Sequence, residues 1–142
     1  MNAESSDPRA ELDRRIEAVE SGYEFLLAYA AQGRNTDRGA GSGRNLREFL
    51  EAMQAALDGL APVARDCAAA RGEAVADVAG AFLDALGRDA ETARSAVRLL
   101  LAQPDISSQL VDNLNASIHL RALLTDLFIL DEALKERPVR PR

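Results

Sequence analysis

The chain is short of the residues that carry most protein chemistry. It has one cysteine, Cys67, one histidine, His119, and no tryptophan. A single cysteine excludes an intrachain disulfide and with it the disulfide-stapled class of small domains. Carboxylate di-metal bundles place a Glu-x-x-His pair on each of two helices. Here Ala116 stands three residues before His119 and there is no second histidine, so no metal and no cofactor are expected. Glu17, Glu20 and Glu24 share a helix face and read as a solvated face.

β-branched residues are sparse, and no segment alternates apolar with polar as a half-buried strand does. Long apolar runs are missing too. The strongest candidate, LRALLTDLFIL, is interrupted by Arg121 and Asp126, well short of the roughly 18 residues of a membrane span. The opening MNAESSDPRAELDRR has no apolar run, so no secretory signal is expected. Basic residues are outnumbered, 17 against 23 acids, for a net charge of −6. Nucleic-acid binders present a basic face, so no nucleic-acid partner is expected. Together these absences predict a cytoplasmic protein without a membrane partner.

What is present is helix. Hydrophobic residues make up 47% of 142 residues, enough for one domain with a sizeable core. Asp7 then Pro8 makes a helix start. Leu12, Ile16, Val19, Tyr23, Leu26 and Ala30 then step by four and three as far as Gly33. A second stripe runs from Leu46 through Leu50, Met53, Leu57, Leu60 and Ala64 to Cys67. Asn45 and Glu48 are placed as a capping box for it, and Pro62 predicts a kink. Cys67 continues this inner stripe and is assigned to packing. A third stripe covers Val75, Ala79, Phe82, Leu86, Ala93, Val97 and Leu100, with an irregularity at Gly87–Asp89 inside one continuous helix. The last helix is expected from Pro104–Asp105 to about Arg137. The fold class is therefore all-α, an up-down-up-down four-helix bundle with long helices. Residues 1–7 are expected to be disordered, 8–137 to form the single domain, and 138–142 to be a basic, proline-containing tail.

Three places could carry function. The stretch GRNTDRGAGSGRNLREFL holds Gly39, Gly41 and Gly43 between Arg34, Arg38, Arg44 and Arg47. Glycine loops at helix N-termini cradle anions, so Arg38, Gly41, Gly43 and Arg44 are candidate anion-binding residues. A nucleotide loop, however, follows a strand and not a helix, and a plain connector fits the same residues. On the last helix, Asn113, Asn115, Ser117, His119 and Arg121 are polar where helix interiors disfavour Asn and Ser. They are a candidate ligand-binding stripe, with Asp112 and Asp126 nearby and Tyr23 and Tyr29 as potential neighbours.

The last helix is also apolar over most of its circumference from Leu120 to Leu130. A second copy of the chain would cover it, so a homodimer is expected through Leu123, Leu124, Leu127 and Phe128. The leading expectation is a non-enzymatic helical interaction protein, a dimeric adaptor, regulator or assembly factor with a protein partner. The alternative is a small-molecule or anion-binding bundle, catalytic or not, with its site on the last helix.

Overall fold

The computed structural model describes residues 7–39 and 41–135, apart from the side chains of residues 42 and 43. The expected tail at 138–142, and all of the expected N-terminal segment except Asp7, lie outside the described residues. The fold is all-α, with no strand among the described residues. Among the described residues six helices appear where four were expected: α1 (Pro8–Ala30), α2 (Gly41–Leu57), α3 (Leu60–Ala70), α4 (Glu73–Leu101), α5 (Ser108–Ala116) and α6 (Ile118–Leu134).

The start of α1 is the expected one. The Asp7 carboxylate accepts from the Arg9 N–H at 3.1 Å, and Pro8 occupies a position whose N–H has no helical partner. The buried stripe is Leu12, Ile16, Val19, Leu26 and Tyr29. Gly22 lies within it because α2 comes too close for a side chain there, and a Cβ would collide with Met53.

The second expected helix is two helices. The break falls at Asp58–Gly59 and not as a kink at Pro62. Gly59 has φ +76°, a left-handed conformation that glycine adopts without strain. Proline clashes with the carbonyl four residues back, which here belongs to Asp58. Ending α2 at Leu57 turns that carbonyl away, and it accepts from the Arg15 guanidinium of α1 at 2.6 Å. The same group reaches the Ala56 carbonyl at 3.0 Å. Pro62 then falls in the first turn of α3, where its missing N–H costs nothing. Helix α2 also begins earlier than the Asn45 capping box implied. Gly41 and Gly43 belong to its first turns, which are held from outside by the buried Leu46 and the anchored Arg47.

Helix α4 runs unbroken through Gly87. A Cβ on Gly87 would stand 3.3 Å from the Ala61 Cβ, so the glycine here allows close approach of α3. The last expected helix starts at Ser108, not at Pro104. Residues 102–107 form a loop, and Ser107 caps α5 by accepting from the Leu110 N–H at 3.1 Å. It breaks again at Ser117, which is extended (φ −58°, ψ 130°) and caps α6 by accepting from the His119 N–H. Helix α6 ends at Leu134, short of Arg137, because Lys135 is extended (φ −61°, ψ 134°).

Helix α1 packs on α2, α3 and α5, while α4 packs on α2, α3 and α6. Ion pairs mark which ends meet. Arg9 at the start of α1 reaches Asp131 near the end of α6, and Arg65 on α3 reaches Asp84 on α4. One continuous apolar core results, in which Leu12, Leu50, Leu86, Leu120 and Leu127 are fully enclosed. Each such leucine contributes roughly 1.5–3 kcal/mol over its exposed state. No helix among the described residues is long and apolar enough to cross a membrane.

Candidate functional site

The glycine–arginine stretch forms part of a closed polar junction. Asp37, the single acid among its four arginines, is only 6% exposed. Its carboxylate accepts from the Arg47 Nε at 2.6 Å and from the Ile106 N–H at 2.7 Å. Arg47 spends its other donors on the last carbonyls of α4 and the loop beyond, Leu101 at 3.2 Å and Gln103 at 2.9 Å. A guanidinium at a helix C-terminus satisfies carbonyls that have no helical partner. Tyr29 donates from its hydroxyl to the Ile106 carbonyl at 2.8 Å. Ser108 donates to the Tyr29 carbonyl and accepts from the Arg34 N–H. Burial opposes ionisation of Asp37, but Arg47 and the Ile106 N–H outweigh it and hold the carboxyl below its ordinary range. Burial pushes the Tyr29 hydroxyl up.

The candidate anion-binding residues therefore have definite places. Arg38 is exposed and pairs with Asp105 at 3.2 Å, while Arg44 is exposed on the first turns of α2.

The polar stripe expected on one last helix is divided by the break at Ser117. Asn113 is exposed on α5 and accepts from Gln109 at 3.0 Å. His119 and Arg121 are exposed on α6, and Ser117 is occupied as a cap. Asn115 alone is buried, at 7% exposure, and neither atom of its amide has a hydrogen-bond partner. Tyr29 is tied into the junction instead, far along the chain from these residues.

Leu123, Leu124 and Leu127 are covered by the chain's own helices, whereas Phe128 is 54% exposed. The apolar surface left open lies beside them. Val75, Val78 and Phe82 of α4 face Ile129, Ala133 and Leu134 of α6 across an open groove of about 460 Å³. Its lining is almost entirely carbon. Val78 is 84% exposed and Ile129 52%. Asp89 lies two turns beyond Phe82 on the same face of α4, and Asp126 two turns before Ala133 on the same face of α6. Neither carboxyl lines the groove, but Asp89 acts on Asp126 from across the two helices. Burial first, then the hydrogen bond and like charge of Asp89, raise Asp126 to about 7. Its Oδ2 is buried without a partner.

Glu17, Glu20 and Glu24 line another open groove with Asp13 and Asp131. Among the described residues no three His, Cys, Asp or Glu side chains converge to hold a metal. Cys67 is buried, and burial raises its thiol, which leaves it protonated and unreactive.

Sequence reasoning missed Asp37, Arg47, Asp89 and Val78. A signal existed for Asp37, a lone acid amid arginines. None existed for the Asp89–Asp126 pair, which is made by residues 37 positions apart on two helices. Set against family models, curated proteins and solved structures, the chain matches none.

Proposed function

We propose that this chain is a non-enzymatic helical interaction protein that docks a protein partner on the α4–α6 groove. The observation that carries the reading is Val78, a valine 84% exposed, at the rim of a groove with almost no polar lining. Single exposed apolar residues are ordinary on protein surfaces, but a contiguous apolar groove marks an interaction site. A helix partner suits it, because parallel ridges of two helices leave a furrow that a third helix fills.

The architecture that fits this role is four antiparallel rods, two of them broken, with α2–α3 and α5–α6 each continuing one direction. The end contacts support it: Arg15 early in α1 meets the end of α2, and Arg94 late in α4 approaches Asp58 at 3.9 Å.

Self-association belongs to the same reading. With Leu123, Leu124 and Leu127 enclosed, Phe128 is what supports a homodimer face on α6. Light scattering at high micromolar concentration tests it: twice the chain mass is expected, falling to one chain for Phe128→Asp. A single-chain mass for the unaltered protein removes the dimer and leaves the groove. For the groove, Val78→Asp and Ile129→Asp should abolish partner binding with helicity unchanged by circular dichroism. Retained binding in both variants would refute it.

Asn115 favours a second reading, in which α5 and α6 hold a small polar ligand that satisfies its amide. A ligand whose stabilising effect is lost in Asn115→Leu would establish it.

A further inference from the structure

We propose that a cavity where α1 begins and α3 and α6 finish binds a small organic carboxylate with an apolar body. The cavity has a volume of about 410 Å³. It touches the α4–α6 groove at Leu134, and neither surface needs the other in order to bind.

The walls suit a ligand of two halves. Pro8, Cys67, Ala70 and Leu134 supply apolar surface, against which a hydrocarbon body leaves water favourably. Cys67 and Leu134 belong to the core, so this floor is in place before a ligand arrives. A preformed, mostly apolar cavity with a few polar groups is the usual form of a small-molecule site. The charged part of the lining is Arg9, Arg71 and Lys135 against Asp7 alone. In the whole chain acids outnumber bases, 23 to 17. The cavity reverses that balance, which favours an anion over a neutral or cationic ligand.

The cations differ in what already holds them. Arg9 is tied to Asp13 and Asp131, and Asp7 accepts from the Arg9 N–H. Lys135 pairs with Glu132 at 3.1 Å, an exposed pair that is weak in water. Arg71 is held least. Elsewhere, Arg15 and Arg47 bind carbonyls at 2.6 and 2.9 Å. Arg71 reaches those of Ala133 and Lys135 at 3.5 and 3.4 Å, both through one nitrogen. It meets no carboxylate among the described residues. A planar guanidinium with donors to give takes a carboxylate through two parallel N–H···O bonds. Arg71 is therefore the residue that receives the head of the ligand, with Lys135 adding charge beside it.

Octanoate tests this on the full chain by titration calorimetry, with octanol as the uncharged body and inorganic phosphate as the bare anion. Octanoate is expected to bind about tenfold more tightly than either control, and more weakly as salt is added. Arg71→Gln should bring octanoate down to the affinity of octanol. Ala70→Phe, at an exposed position of α3, fills the cavity and should abolish octanoate binding while circular dichroism stays unchanged. Octanoate binding that survives both substitutions would overturn the site. Loss of that binding in Val78→Asp would place the hydrocarbon in the α4–α6 groove and overturn it as well. So would equal affinity for octanoate and either control, or no binding of octanoate at all.

Discussion

Helix α4 joins two ends of the molecule that treat charge in opposite ways. At its C-terminal end, the carbonyls of Leu101 and Gln103 are met by Arg47, which Asp37 holds in place. Around them Tyr29, Ser108 and Ile106 complete one another's hydrogen bonds. Toward its N-terminal end, α4 lines an open apolar groove, and midway along it Asp89 faces Asp126, whose buried oxygen lacks a donor. A closed network fixes geometry because breaking any member strands the others. An unfinished one leaves binding energy for something else to use. The first end is built for the fold; the second leaves apolar surface open and one carboxyl oxygen unmatched.

The largest way to break the comparison is at Asp37. Asp37→Ala strands the Ile106 N–H and frees the Arg47 guanidinium, and should cost about 3 kcal/mol in urea unfolding. A loss below about 1 kcal/mol would mean the junction is ornamental.

The opposite end should respond with the opposite sign. Asp126 in the folded chain is raised to about 7 from 3.8, so its contribution is fully present below about pH 4 and is lost as pH rises through about 7. Asp126→Asn should therefore leave stability unchanged near pH 4. Near pH 8 it should raise stability by about 1–2 kcal/mol, discounted for the solvent that reaches the pair. Destabilisation at both pH values would show that the pair serves the fold.

Smaller effects sharpen the picture. Gly59→Ala puts a side chain in a left-handed position and should cost about 1 kcal/mol in thermal unfolding. Arg38→Ser with Arg44→Ser removes two exposed guanidiniums and should change stability by no more than about 0.5 kcal/mol. If phosphate stabilises the unaltered chain but not this double variant, the glycine–arginine stretch also binds anions.

The stripes were legible in the sequence because burial recurs at helical spacing, as Leu12, Ile16 and Val19 or Leu46, Leu50 and Met53 illustrate. The breaks were not. Leu57, Leu60 and Ala64 keep their spacing across Gly59, so periodicity runs straight through a point where the backbone does not. Pro62 correctly signalled trouble, but the chain relieved it three residues earlier, where Arg15 could take up the freed carbonyls. Ser117 looked like a polar residue in mid-helix and is a cap. The surfaces were least legible. Val75 and Leu86 lie on the same apolar stripe of α4, yet Val75 lines an open groove while Leu86 is enclosed. Asp37 depends on Arg47 nearby but also on Ile106, 69 positions away, which no local pattern encodes.

The unfolding free energy measured from acid to alkaline pH tests the contrast between the two ends most directly. Asp37 is held below its ordinary range, so its contribution is present above the unfolded carboxylate value and lost as pH falls through the lower folded one. Asp126 has the reverse dependence. The account predicts a loss on the acid side that Asp37→Asn abolishes, and a separate decline toward about pH 7 that Asp126→Asn abolishes. A profile in which Asp126→Asn leaves the decline toward neutrality intact would contradict it.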